Sequence, residues 1–347
     1  FVYGRAIQAG VPVSQHVLDE PITFQVGGRP WTPRDFGDQF FGDITLREAI
    51  TRSLNIPTAR LAQSIGMPGV IAFAHQLGLR ASIPNSPAAA LGLAEESPLE
   101  VASAFTSFAT LGTRAEPRLV RRVIGADGNL LWEATAPRTT PAVDAGVAYI
   151  VNSLLRDVVE RGTGTAVREA GVTGPVAGKT GTTSDAADAW FVGYTPNVVG
   201  TVWIGFDKRR QIGGHEATGG HAAAPVWGRV MRRMYARWPV PSGWTRPDNV
   251  VSLATDPQTG QTLEEGCSAD GSGEYFLTSA VPEAVCPQPT VLGSPIPAIG
   301  GFLQRIWGAI TGAPRPAGPP PPTMSRAPTG PYDPVLGASR VQMQQQQ

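Results

Sequence analysis

The periodicity of this chain changes at Gly174, and that change limits the folds open to it. Before it, apolar residues recur at helical spacing. After it come three runs rich in β-branched and aromatic residues: Pro175–Gly181, Ala189–Tyr194 and Val198–Phe206. Short polar turns separate them, so they are expected to form consecutive antiparallel strands. Ala222–Trp238 returns to helical spacing, with Pro225 suited to the first turn. Helices, then a meander, then a helix predict an α+β domain.

Upstream, Thr45 is placed to cap a helix beginning Leu46-Arg47-Glu48, with Glu48 completing a capping box. Ser53-Leu54-Asn55 interrupts that helix, and Pro57 opens a second one through Leu61 to Ile65. Gly66-Met67-Pro68-Gly69 stops it. Val70–Leu77, Pro98–Leu111 and Val143–Val159 read as further helices. Phe1-Val2-Tyr3 reads as the middle of a helix, which predicts that the chain is a piece of a longer polypeptide. These elements place a first domain at 1–240.

Residues 241–290 are rich in Gly, Pro and Ser and hold both cysteines, Cys267 and Cys286. A small module with one disulfide in an extracytoplasmic compartment is the expectation. Unpaired thiols in a reducing cell are the alternative. Two cysteines with no histidine nearby cannot fill a zinc shell, so no metal is expected. Phe302–Ile310 could form a short amphipathic helix. The remainder of 291–347, with Pro319–Pro322 and Gln344–Gln347, has too little apolar content to bury a core and is expected to be a disordered tail. Formal net charge is zero, which argues against a nucleic-acid partner. No apolar run reaches the roughly 18 residues of a membrane span.

Lysine is nearly absent: Lys179 and Lys208 stand against 26 arginines. A chain that otherwise writes Arg has kept a compact ammonium in Gly178-Lys179-Thr180-Gly181-Thr182-Thr183, and the two cations are not interchangeable beside a reacting group. Side chains alternate along a strand, so Thr180 and Thr182 share a face and could converge on one anionic group. Gly181 permits close approach to the backbone, whose free N–H groups could serve an oxyanion. An ordinary strand start would look similar. Ser53 and Asn55 could project into one cleft, the hydroxyl relaying a proton and the amide gripping a peptide group. Taken alone, they read more simply as helix caps.

Order and spacing bring these motifs together. Gly178–Thr183, then Asp188-Ala189-Trp190-Phe191-Val192-Gly193-Tyr194-Thr195-Pro196, resembles the signature of class A (bifunctional) penicillin-binding proteins. So do Val202–Asp207, Ser153–Gly164, Ala90-Leu91-Gly92, and Thr218-Gly219-Gly220 with Ala223–Trp227. The resemblance covers about residues 1–238. The family's nucleophilic Ser-x-x-Lys is missing, since Val176 and Gly205 stand three residues before the two lysines. Phe1-Val2-Tyr3-Gly4-Arg5-Ala6 resembles the stretch that follows that motif, so the serine is expected just upstream of Phe1.

The resemblance implies the fold of penicillin-binding proteins and β-lactamases, an antiparallel sheet with helices on both faces plus a helical subdomain. It implies serine acyl transfer on the D-Ala-D-Ala end of peptidoglycan stem peptides, crosslinking them, with no cofactor. Ser53 would relay a proton, Asn55 would bind the substrate amide, and Lys179 would supply positive charge. Thr180 and Thr182 would hold the terminal carboxylate, with Gly181 and Thr183 completing the substrate strand. Partners would be stem peptides, lipid-linked glycan strands and β-lactams. The location would be the outer face of the bacterial cytoplasmic membrane, reached through a membrane helix and a glycosyltransferase domain upstream. The fragment alone would then be inactive. A D,D-carboxypeptidase and a non-catalytic wall-peptide-binding module are the alternatives. His215 and His221 flank Thr218-Gly219-Gly220; a metal site would need His, Asp or Glu partners converging on them, and the resemblance implies no metal.

Overall fold

The computed structural model describes residues 1–214, 217–267 and 272–286. Residues 1–288 form one compact unit. His215, Phe302–Ile310 and the Pro-rich tail lie outside the described residues.

In chain order, helix α1 (Val2–Gln8) leads into strand β1 (His16–Asp19) and the hairpin β2 (Phe24–Val26) and β3 (Arg29–Trp31). Gly27 and Gly28 both have positive φ, +57° and +76°, which a two-residue hairpin turn of this hand requires. Strand β4 (Gly42–Thr45) returns antiparallel to β1. Helices α2 (Leu46–Thr51), α3 (Asn55–Ile65), α4 (Met67–Gln76) and α5 (Pro98–Ala109) follow. Two short antiparallel pairs come next: β5 (Thr113–Ala115) with β8 (Thr139–Pro141), and β6 (Arg122–Ile124) with β7 (Leu130–Glu133). Helices α6 (Ala145–Glu160) and α7 (Ala166–Glu169) lead to the meander β9 (Ala177–Thr182), β10 (Ala189–Thr195) and β11 (Val198–Ile204). After one π-helical turn, Gly219–Ala223, comes α8 (Ala224–Tyr235), and then β12 (Val250–Thr255), β13 (Thr262–Leu263), β14 (Ser272–Leu277) and β15 (Ala284–Val285).

Thr45 caps α2 as expected, but the reciprocal half of the capping box does not form. The Glu48 carboxylate is taken instead by Arg52 and Arg161, and two guanidinium partners outcompete one backbone N–H. The complete capping box sits at Ser97 and Glu100, on α5.

The meander is antiparallel throughout, in the order β11-β10-β9. Its two faces feed two cores. Ala177, Val192 and Tyr194 pack with Phe105 and Phe108 of α5 and with Val151, Leu154 and Val158 of α6. Phe191, Val198, Val202 and Ile204 pack with Val167 of α7 and with Trp227 and Met231 of α8. Helices therefore cover both faces of the sheet, as the resemblance implied.

Trp227 lies against the cross-strand pair Gly193 and Gly200, and its indole N–H donates to the Gly200 carbonyl at 3.0 Å. A Cβ at Gly193 would sit 2.7 Å from the ring, and one at Gly200 2.8 Å from its nitrogen. The strand glycines thus make room for one large ring. On the opposite face, the Tyr194 hydroxyl donates to Asn152 Oδ1 at 2.6 Å, and Asn152 Nδ2 donates to the Phe108 carbonyl. This buried chain ties β10, α6 and α5 together with each polar atom matched.

The sheet β14-β12-β13-β15 belongs to the same compact unit. Arg47 of α2 meets buried Glu274 of β14 at 2.5 Å and Asp157 of α6 at 2.9 Å. Burial opposes the Arg47 charge, but Glu274 and Asp157 outweigh it and raise the pKa. Cys267 and Cys286 are joined in a disulfide, the pairing expected of the two cysteines.

Candidate active site

Ser53 sits where α2 turns into α3. Its own N–H donates to the Ile50 carbonyl, and the Leu54 N–H to the Ala49 carbonyl. That pair of bonds is the Schellman ending of a helix, in which the turning residue adopts left-handed φ and is usually glycine. Here it is Ser53, at φ +60°. A side chain in this conformation costs of order 1 kcal/mol, so glycine would suit the backbone better. The hydroxyl it carries is directed at another element.

That element is β9. Lys179 Nζ donates to Ser53 Oγ at 2.5 Å and to the Thr180 carbonyl at 2.9 Å. No carboxylate is paired with Lys179 among the described residues. Burial alone pushes its ammonium down to about 8. Phe1 is close enough to Lys179 for the two to interact electrostatically. The start of α1 therefore lies beside the same cation.

Asn55 opens α3, and its amide Nδ2 donates to the Arg34 carbonyl at 2.7 Å. Helix α3 has Leu54 at its N-cap and so no cap of its own. Its first N–H groups must find an acceptor elsewhere. Asp35 supplies it, accepting from the Asn55 and Ile56 N–H groups through Oδ1. The sequence reading missed Asp35. The signal for it was the helix start at Asn55 with an apolar residue in the capping position.

The threonines of β9 share the face opposite the one Lys179 uses. Thr180 is paired across the sheet with Phe191, and Lys179 with Val192, residues of the two separate cores. Thr180 Oγ1 lies 2.6 Å from Thr163 Oγ1, and Thr182 Oγ1 accepts from the Gly219 N–H at 3.0 Å. Thr183 closes the turn into β10, its hydroxyl accepting from the Ala187 and Asp188 N–H groups. Gly181 adjoins Gly219, where a Cβ would meet the Trp190 carbonyl at 2.2 Å and the Gly181 carbonyl at 2.5 Å. Gly162 touches the end of α2 in the same way, its Cβ position 2.3 Å from the Thr51 carbonyl. Two glycine-bearing loops, around 162–164 and 218–220, thus hold β9 against α2. Thr163 and Gly219 lay within the recognised stretches, but the sequence assigned neither a role.

The arrangement is a half-buried cation bonded to the hydroxyl of a residue with strained backbone, next to a helix-start amide and an edge strand with two hydroxyls. It can bind an anionic, extended peptide-like group and move a proton between nitrogen and oxygen. His221 Nδ1 lies 3.0 Å from Thr218 Oγ1. The grouping of Glu264, Cys267 and Cys286 has both sulfurs in the disulfide, leaving one ligand.

Residues 1–232 match the family described as the penicillin binding protein transpeptidase domain. Penicillin-binding protein 1A of Pseudomonas aeruginosa is 31% identical over 351 aligned positions, covering 86% of this chain and 42% of that protein. The protein of the same name from Neisseria meningitidis serogroup A is 37% identical over 282 positions, 76% of this chain and 35% of that one. The chain thus spans less than half the length of these curated relatives. The crystal structure of penicillin-binding protein 1A from Haemophilus influenzae superposes with a TM-score of 0.75 at 26% identity, covering 82% of this chain and 47% of that one. PonA1 of Mycobacterium tuberculosis in complex with penicillin V shares the fold, with a TM-score of 0.61 at 23% identity over 71% of this chain and 70% of that one. Among the described residues, no helix is long and apolar enough to cross a membrane.

Proposed function

Because this chain belongs to the penicillin-binding-protein transpeptidase family, we propose that it carries most of a serine D,D-transpeptidase site that crosslinks peptidoglycan stem peptides outside the cytoplasmic membrane. The observation that carries the reading is the 2.5 Å bond between Lys179 Nζ and Ser53 Oγ. It joins motifs 126 residues apart, and it leaves a half-buried cation without a carboxylate partner among the described residues.

The acylating serine lies on the residues that precede Phe1, which itself lies near Lys179. Its Oγ attacks the penultimate D-Ala carbonyl, an ester forms, and the C–N bond breaks. The proton released from the attacking hydroxyl is relayed through Ser53, beside Lys179, to the departing D-Ala amine. The amine of a second stem peptide then attacks the ester, a new amide forms, and the serine recovers its proton. Asn55 holds the substrate amide. Thr180 and Thr182 turn their hydroxyls from Thr163 and the Gly219 N–H contact toward the terminal carboxylate. Gly181 admits the peptide backbone beside β9, while Thr183 keeps the strand end closed. A β-lactam enters as the same acyl donor, with a ring bond breaking in place of the peptide bond.

Labelling with a fluorescent penicillin tests this. A polypeptide extended upstream of Phe1 should be labelled covalently, and residues 1–347 alone should not. In the extended protein, Lys179→Arg should slow labelling sharply, because a planar guanidinium cannot take the place of a compact ammonium at Ser53. Stable labelling of residues 1–347 alone would place the nucleophile within this sequence. Unchanged labelling of the Lys179→Arg protein would remove Lys179 from the site.

A further inference from the structure

Asp19 and Asp35 are buried acids that the acyl-transfer chemistry leaves unused. Asp19 ends β1 and is 0% exposed, and Asp35 is 4% exposed. One oxygen of each is satisfied. Asp19 Oδ2 accepts from the Phe41 N–H at 2.8 Å, and Asp35 Oδ1 from the Asn55 and Ile56 N–H groups. The other oxygens, Asp19 Oδ1 and Asp35 Oδ2, are buried without a donor. The two carboxyl groups are within hydrogen-bonding reach of each other. Two buried oxygens facing each other with no donor between them repel if both groups are ionised, and a single proton satisfies both.

We propose that Asp19 and Asp35 share one proton, and that this singly protonated pair positions Asn55 by fixing the start of α3. The positioning part rests on the role given to Asn55 above. The segment Arg34-Asp35 grips Asn55 twice, at its backbone N–H through Asp35 and at its amide through the Arg34 carbonyl. Anything that pushes Asp35 off α3 therefore turns Asn55 as well.

Among the described residues, no cation is paired with the two acids in place of the proton. Asp19 and Asp35 form no ion pair among the described residues. Arg60 on α3 reaches the Glu20 carbonyl at 3.4 Å. Tyr3 on α1 has its ionisation suppressed, by burial first and in lesser part by the charge of Asp35, and its hydroxyl lies 3.1 Å from Thr58 Oγ1. The backbone N–H groups of α3 favour the Asp35 anion, yet burial and the facing Asp19 push its carboxyl up to about 6.

Asparagine can stand in for the protonated partner. In Asp35→Asn, the amide oxygen keeps the α3 cap while its NH2 donates to Asp19 Oδ1. Asp19→Asn works in the mirror sense. In the double variant both oxygens are held by backbone N–H groups, so two NH2 donors face each other. Urea midpoints of residues 1–347 should therefore show both single variants at or above wild type and the double variant below either. The pH dependence gives a second readout. The folded carboxyl binds a proton that the unfolded one has released, so this pair's stabilisation is present at low pH and lost as pH rises through about 6. The midpoint difference between Asp35→Asn and wild type should grow from about pH 5 to about pH 7. A double variant as stable as the better single one, with a pH-independent difference, would overturn the shared proton. In the upstream-extended protein, Asp35→Ala should slow penicillin labelling by roughly tenfold or more and Asp35→Asn should restore it. If the midpoints behave as described but labelling does not follow the cap, the shared proton stands and the positioning of Asn55 fails.

Discussion

Replacing Lys179 with Met should make the fold more stable while emptying the site of its charge. The ammonium is bonded to one hydroxyl and one carbonyl, and burial lowers its pKa from 10.5 to about 8. At about 1.4 kcal/mol per pH unit, the folded state disfavours the charged form by ~3 kcal/mol. Met retains most of the apolar stem. It leaves Ser53 Oγ and the Thr180 carbonyl without their donor, which costs about 1 kcal/mol. The net expectation is a gain of ~2 kcal/mol at neutral pH. The pH dependence separates this cause from general repacking. Between about 8 and 10.5 the unfolded lysine is protonated and the folded one is not. Wild-type stability therefore rises with pH across that window, and the penalty is fully present below it. The advantage of the Met variant should shrink by about 2 kcal/mol between about pH 7 and about pH 9.5. Higher pH is uninformative, because burial raises the pKa of Tyr3 and Tyr194, and their ionisation on unfolding works in the opposite direction. Urea unfolding followed by tryptophan fluorescence at the two pH values measures the difference. A Met variant no more stable than wild type at neutral pH, or an advantage that does not shrink on raising the pH, would refute the reasoning.

Ser53→Gly relieves the positive φ while Ser53→Ala retains it, so the Gly variant should be more stable than the Ala variant by about 1 kcal/mol in urea melts. Both should lose penicillin labelling in the extended protein. Gly219→Ala drives a Cβ into the Trp190 and Gly181 carbonyls, so it should destabilise by about 2 kcal/mol or more and raise hydrogen exchange along β9. Tyr194→Phe leaves Asn152 Oδ1 buried without its donor, and a loss of about 1–3 kcal/mol should appear in thermal or urea unfolding.

Much of the frame was legible in the sequence because it rests on local periodicity. The strands β9, β10 and β11 and the helices α3, α5, α6 and α8 fall within a few residues of where their patterns place them. They are long enough for spacing to show. The paired strands β1 and β4, β5 and β8, and β13 and β15 are two to four residues each, and their partners lie far along the chain. No period can build up over such lengths, so pairing alone defines them. Glu48 illustrates the same limit. Its capping-box spacing was correct, and Arg161, 113 residues away, took the carboxylate.

Ser53, Asn55 and Lys179 were singled out from sequence because their order and spacing resemble the pattern of the family. The sequence by itself determined that a lysine, a serine and an asparagine were present on a strand and at a helix junction. Only the tertiary structure decided that Ser53 is held in a left-handed turn, that Lys179 is half-buried with no carboxylate partner among the described residues, and that Asp35 caps α3 opposite Asp19. Burial, strain and the pairing of distant acids arise from which surfaces meet, and no local pattern encodes them.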